Sequence, residues 1–211
     1  MPWMRRRGMA ATVRPDCCGG IEPNRFVAAE LAEASPGRAL DVACGEGRNA
    51  IWLAGRCWHV VGVDFSVRGL ERAAQLASHA GVADRVDFQQ ADVVSEALPT
   101  GSFDAVIVAY LQLAPGPRRA ALRNAAAAVA PGGTLLVVGH DTTNLTEGVG
   151  GPQNAEVLSS PDDVVADLAG LTGFVVQKAE RVRRPVPDAE RDAVDSLVRL
   201  RRETRDEESR T

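Results

Sequence analysis

Acidic residues and glycines gather where apolar runs end in the first half of the chain. In "ALDVACGEGRNA" (39–50), Gly45, Gly47 and Ala50 form a Gly-x-Gly-x-x-Ala pattern, and Asp64 closes the next apolar run, "HVVGVD". This comes close to a dinucleotide fingerprint, in which glycines admit a phosphate to the backbone and an acid binds a ribose. Asp41 and Glu46 bracket the loop, however. Carboxylates there disfavour a pyrophosphate and suit a ligand with a positive amino group. Asp92, at the end of "RVDFQQAD", can accept from an adenine amino group, although taken alone it reads as a loop acid.

Proton-transfer candidates are few. His59 starts a strand-like run and His79 ends a helix-like one, so only His140 follows an apolar run, with Asp141 beside it. His140 is the candidate base or acceptor-positioning residue, its alternative being a loop anchor. Tyr110, the single tyrosine, either contacts the acceptor or packs at a strand end. Asn24 and Arg25 can pair with an anionic group or form a surface contact, and Arg181, Arg183 and Arg184 read as a solvated face. Cys44 reads as a small buried residue rather than a nucleophile. No Ser-His-Asp arrangement or metal-ligand spacing stands out.

These residues need a scaffold that carries them to one edge. "PNRFVAAELAEAS" (23–35) has a helical apolar stripe, with Pro23 able to open it and Pro36-Gly37 to close it. "RALDVA" reads as a buried strand leading through the glycine loop into a helix. "HVVGVD", "RVDFQQAD", "FDAVIVAYL" and "PGGTLLVVGHD" follow as strands, with helices from Ser66 to about Ala80 and over "PGPRRAALRNAAAAVA". Five strands alternating with helices predict an α/β, doubly wound, Rossmann-like parallel sheet with right-handed crossovers. "TTNLTEGVGGPQN" reads as a long polar loop, and Ser160-Pro161-Asp162 can start another helix. "GFVVQKAERVRRPV" and "DAVDSLVRLRR" can pair as a terminal antiparallel hairpin, although residues 192–202 fit a helix as well. In such a sheet, ligands bind beyond the carboxyl ends of the strands. That edge collects the glycine loop, Asp64-Phe65, Asp92-Val93, Ala109-Tyr110 and His140-Asp141.

The 211 residues, 45% hydrophobic, suit one domain. We expect it over 22–202, between a poorly ordered arm (1–21) and a frayed charged tail (203–211). The formal charge of −4 gives no electrostatic reason to expect nucleic acid or an anionic membrane. A small molecule is the better default. Four unpaired cysteines and the absence of a long apolar run predict a soluble protein of the reducing cytoplasm.

Together, "ALDVACGEGRNA", "VVGVDFS", "FQQADV", "FDAVIVAYLQL" and "AVAPGGTLLVVG" resemble the class I S-adenosylmethionine-dependent methyltransferases from residue 23 to about 140. "CGEGRNAIWLA" with "PNRF" is similar to the tellurite-resistance and thiopurine branch, which implies small, soft acceptors such as thiols or selenium and tellurium species. The resemblance implies that Asp41 and the Ala43–Cys44–Gly45 backbone hold the methionine portion, whose carboxylate Arg25, at the opening of the first helix, can reach. It also implies that Asp64 binds the ribose, that Phe65 and Val93 flank the adenine, that Asp92 binds its amino group, and that Ala109 contains the sulfonium. Gly47 would complete the loop. Ala43 replaces the first loop glycine, a change expected to be harmless if its dihedrals are ordinary. The N-terminal arm offers only Trp3 where that branch has an aromatic cover. Two other readings stay open: a nicotinamide-dependent oxidoreductase, and a non-catalytic S-adenosylmethionine-binding protein.

Overall fold

The computed structural model describes residues 22–204 and Glu207. The expected arm (1–21), with Trp3, Cys17 and Cys18, lies outside the described residues. The described part of the tail is tied down rather than frayed: Glu203 donates its N–H to the Gly173 carbonyl at 2.8 Å, and Arg201 pairs with Glu207 at 3.0 Å.

Helix α1 (Arg25–Leu31) begins where Asn24 caps it, its side chain accepting from the Phe26 and Val27 amides at 2.9 and 3.2 Å. Strand β1 (Arg38–Val42) and α2 (Arg48–Gly55) flank the glycine loop. β2 (His59–Asp64) leads to α3 (Val67–His79), capped by Ser66, whose hydroxyl accepts from the Gly69 amide at 3.1 Å. β3 (Val86–Gln90), β4 (Phe103–Ala109), α4 (Pro115–Ala128) and β5 (Val129–His140) follow. The polar segment after β5 holds the short helix α5 (Asn144–Glu147) and a 3-10 turn (Ala155–Val157), and α6 (Pro161–Asp167) starts with a reciprocal Ser160/Asp163 capping box.

Strands β6 (Phe174–Arg184) and β7 (Ala193–Arg202) complete a seven-stranded sheet of order β3-β2-β1-β4-β5-β7-β6. β1 to β5 are parallel, while β7 runs antiparallel to both β5 and β6. The hairpin expectation therefore holds and the helical alternative for 192–202 does not. β7 is bonded on both edges and covered on both faces, which buries Val194, Leu197 and Val198 without the polar alternation of a half-exposed strand.

Apolar clusters cover both faces of the sheet. One packs α4 and α6 onto Leu40, Val42, Val106 and Val137; the other packs α1, α2 and α3 onto Ala39, Ile107, Val138 and Leu197. Burying each large aliphatic side chain contributes roughly 1.5–3 kcal/mol. Ion pairs lock the outer elements. Glu30 of α1 holds Lys178 at 2.5 Å and Arg199 at 3.2 Å on the hairpin, and Asp167 of α6 takes Arg118 at 2.7 Å and Arg119 at 3.1 Å from α4. The order reverses between β1 and β4, so the crevice at the switch point opens above the glycine loop. Among the described residues, no helix is long and apolar enough to cross a membrane.

Candidate active site

The loop between β1 and α2 is shaped by what lies beneath it. Asp64, 6% exposed at the end of β2, accepts from the Gly45 amide at 2.8 Å with one oxygen and from the Ser66 amide at 2.8 Å with the other. It thus clasps the loop to the start of α3, and each carboxylate oxygen keeps a lone pair for a further donor. Gly45 and Gly47 separate in role. A Cβ on Gly45, at φ +56°, would meet nothing within 4 Å, so this glycine leaves open space above the loop. A Cβ on Gly47, at φ +77°, would come within 2.7 Å of the Phe88 ring. Gly47 is therefore required by packing against Phe88 as well as by its left-handed backbone. Ala43 does not have ordinary dihedrals: its φ of +56° lies in the left-handed region, which costs an L-residue about 1–2 kcal/mol. The loop carries that strain where a glycine would carry none.

Asp41 is 1% exposed and accepts from the Ala50 amide at 3.1 Å. Gly47, the N-cap of α2, has no side chain to do this, so a strand residue caps the helix instead. Burial pushes the Asp41 carboxyl up to about 7, against the Ala50 N–H, Arg48 and Asn49, which favour the charged form. The unfolded carboxyl titrates near 3.8, so the folded protein binds the extra proton between about pH 4 and 7, and this stabilisation is lost as pH rises through 7. Asparagine keeps the acceptor oxygen without the charge. Asp41→Asn is expected to gain stability relative to wild type as pH rises from 5 to 8, read by urea unfolding at each pH; parallel curves would mean that Asp41 stays ionised throughout.

Cys44 lies in the same loop, buried, with its amide on the Val63 carbonyl at 3.0 Å. Burial and the neighbouring Asp41 and Asp64 carboxylates push its thiol up, so it is not a nucleophile. Beyond β2, Phe65 is 76% exposed, an unpartnered aromatic surface next to Asp64, whereas Val93 is turned into the core at 7% exposure. Asp92 is engaged locally: its oxygens accept from the Val94 amide at 3.0 Å and the Ser95 hydroxyl at 2.7 Å, and these bonds hold its carboxyl below the usual range. Arg25 lies over the Phe26 ring at 5.9 Å on the exposed side of α1. Ala109, half-buried, ends β4 in register with Val138.

The second half of the site lies beyond β4 and β5. His140 pairs in register with Asp195 of β7, and its Nδ1 lies 3.0 Å from Asp195 Oδ1. Asp195 is 0% exposed; its other oxygen accepts from the Tyr110 hydroxyl at 2.8 Å and from Arg184 Nε at 2.7 Å. Burial alone would raise the Asp195 carboxyl, but the His140, Arg184 and Tyr110 hydrogen bonds outweigh it and hold the carboxyl below the usual range. The Tyr110 and His140 rings stack with centroids 4.6 Å apart, and Tyr110 sits at φ +58°, a strained backbone of the sort held in place at functional sites. Burial and the Asp195 charge push the Tyr110 phenol up to about 12, so Tyr110 is a hydrogen-bond donor and not a base.

Three expectations are corrected here. Asp141 is not the partner of His140: consecutive strand residues point to opposite faces, and Asp141 accepts instead from Arg181 Nε at 2.9 Å and the Thr143 amide at 2.8 Å. Arg181 and Arg183 are exposed, as a solvated face requires, but Arg181 also pairs with the buried Asp141, and Arg184 is partly buried against Asp195. Asn24 is a buried helix cap, its own amide donating to Asn49 Oδ1 at 2.9 Å. Asp195 and Arg184 were missed as site residues. The legible signal was an acid inside the apolar run "AVDSLV", because a carboxylate within a buried strand needs a partner. A small cavity lined by Leu111, Arg118, Leu122, Gly139, Ser159 and Val164 opens toward α4 and α6.

Residues 39–133 match the methyltransferase domain family, from β1 into the start of β5. This stretch is similar to a methyltransferase domain over somewhat less than half of the chain. An uncharacterized methyltransferase of Mycobacterium tuberculosis is 36% identical over 110 residues, 52% of this chain and 54% of that protein. The 27-O-demethylrifamycin SV methyltransferase of Amycolatopsis mediterranei is 40% identical over 102 residues, 47% of this chain and 37% of that protein. The chain spans about half the length of the first of these relatives. Among solved structures, the N-methyltransferase NodS of Bradyrhizobium japonicum WM9, in complex with S-adenosyl-L-homocysteine, superposes with a TM-score of 0.65 over 84% of each chain at 17% identity, a likeness of fold. The tellurite and thiopurine branch is not what these comparisons bring out. The match ends before His140, so His140, Arg184 and Asp195 lie outside the matched residues.

Proposed function

We propose that the chain is an S-adenosylmethionine-dependent methyltransferase acting on a small-molecule acceptor. One observation carries this reading: Asp64 clasps the loop and α3 beneath the space that Gly45 leaves open, with lone pairs left for the two hydroxyls of a ribose. The residues fit the cofactor's charge as well. Asp41 and Asp64 place carboxylates where a sulfonium and an ammonium are favourable and a pyrophosphate is not, and exposed Phe65 offers an apolar face for an adenine. When bound, S-adenosylmethionine supplies the methyl group for in-line displacement. The chain's own residues orient the acceptor and exclude water.

The acceptor class is argued from the relatives and from charge. The rifamycin relative modifies, by its name, a small molecule, and the formal charge of −4 is a poor match to nucleic acid. Soft nucleophiles such as thiols remain one acceptor class in this reading. Isothermal titration with S-adenosyl-L-homocysteine is expected to give saturable heat. No heat at millimolar ligand from folded protein overturns the proposal, and enhancement of NADH fluorescence in that case would favour the oxidoreductase reading. Heat without turnover of labelled cofactor across thiol, selenite, tellurite, phenol and amine acceptors would leave a cofactor-binding protein.

A further inference from the structure

We propose that His140 and Asp195 form a proton-accepting pair built by the C-terminal hairpin, and that the pair assigns a hydroxyl compound, a phenol or enol, as the acceptor. This rests on the methyltransferase reading above. Asp195 is an ionised carboxylate that only accepts, so the 3.0 Å contact requires the proton of a neutral His140 ring to sit on Nδ1. Nε2 then carries the lone pair.

The orientation is over-determined. Antiparallel register places His140 opposite Asp195, so both side chains leave the sheet on the same face. Tyr110 stacks on the imidazole and donates to the same carboxylate, while Arg184 Nε reaches both Asp195 and the Tyr110 oxygen, at 2.7 and 3.1 Å. On another side, the backbone of Gly151 lies so close that a Cβ there would come within 3.1 Å of Nδ1. Among the described residues no hydrogen bond is made to Nε2, and the ring nevertheless keeps 12% exposure. A histidine kept only as a packing residue does not need its tautomer set by a fully buried carboxylate shared by three donors.

A thiolate or reduced chalcogen is already deprotonated or highly nucleophilic and draws little from such a base, whereas a hydroxyl loses its proton as it attacks. The hydroxyl proton passes to Nε2, the oxygen pair forms the new O–CH3 bond, and the S–CH3 electron pair returns to sulfur. His140 leaves the step as an imidazolium beside Asp195, while Nδ1–H stays in place. His140 is the catalytic residue here, and Asp195 is a positioning residue acting through it.

The test uses the full chain, with catechol and a hydroxycoumarin as hydroxyl probes and dithiothreitol as the thiol probe. Asp195→Asn and His140→Gln are expected to lower kcat on the hydroxyl probes by about 100-fold or more. KM and the S-adenosyl-L-homocysteine Kd should stay within about threefold. Independently of turnover, histidine 15N spectra of the neutral ring should show Nδ1–H at His140 in the wild type and mainly Nε2–H in Asp195→Asn, with His140→Gln identifying the signal. A wild-type ring protonated at Nε2, methylation of dithiothreitol alone, or no turnover by protein that binds S-adenosyl-L-homocysteine each overturns the proposal. Failure to bind S-adenosyl-L-homocysteine at all removes the methyltransferase reading instead.

Discussion

Asp64→Ala is expected to weaken S-adenosyl-L-homocysteine binding about 100-fold or more. The carboxylate clasps Gly45 to Ser66 at 2.8 Å on each side, and in the proposed function its remaining lone pairs take the two ribose hydroxyls. Hydrogen bonds to a charged group contribute about 1.5–3 kcal/mol each, and about 1.4 kcal/mol is a factor of ten in affinity. Two lost ribose contacts alone therefore exceed a hundredfold change, before the freed loop is considered. Calorimetric titration reads the effect, with thermal unfolding alongside to show that the variant is folded. His140→Gln is the contrasting variant, expected to leave the cofactor Kd within about threefold because it ends β5, away from the Asp64 clasp of the loop. Similar losses in both variants would dissolve the division of the site into a cofactor half and an acceptor half.

The second large effect is on stability. Asp167→Ala is expected to cost about 3–5 kcal/mol in urea unfolding, because removing one partner of a buried pair strands the other. Arg118 is 8% exposed and gives its Nε to Asp167 at 2.7 Å, and Arg123 reaches the Asp167 carbonyl at 3.0 Å. Arg119 bonds the same carboxylate from an exposed position, its side chain 58% accessible. Arg119→Ala should therefore cost less than about 1 kcal/mol, as solvent-exposed pairs do. Equal costs would show that Arg118 is solvated by another route. The cluster joins α4 to α6 on the sheet that carries Tyr110, just after β4, and His140, at the end of β5, so its loss should also blunt turnover through the packing of the acceptor side.

The parallel half of the fold was readable because its signals are local. Apolar runs such as "FDAVIVAYL" belong to strands covered on both faces, Ser66 and Ser160 cap the helices that follow them, and the glycine loop needs positive φ at positions 45 and 47. Asp64 was readable for the same reason, because the end of β2 is a fixed place in such a sheet. Ambiguity appeared where local signals conflict. The spacing of Val194, Leu197 and Val198 fits a helix or a strand, and only pairing with both β5 and β6 settles it.

What the sequence determined by itself is the doubly wound sheet, the loop between β1 and α2, and an edge carrying Asp64, Tyr110 and His140. What the tertiary structure decided is which groups touch. Phe88 beneath Gly47 makes that glycine a packing requirement, Ala43 carries a left-handed backbone, and Asp41 caps α2 from a strand. His140 finds its carboxylate at Asp195, 55 residues away, and not at its neighbour Asp141. The physical reason is strand geometry: adjacent residues on a strand face opposite sides, while antiparallel register brings distant residues onto one. Sequence adjacency and spatial adjacency therefore part company at the point where the chemistry is assembled.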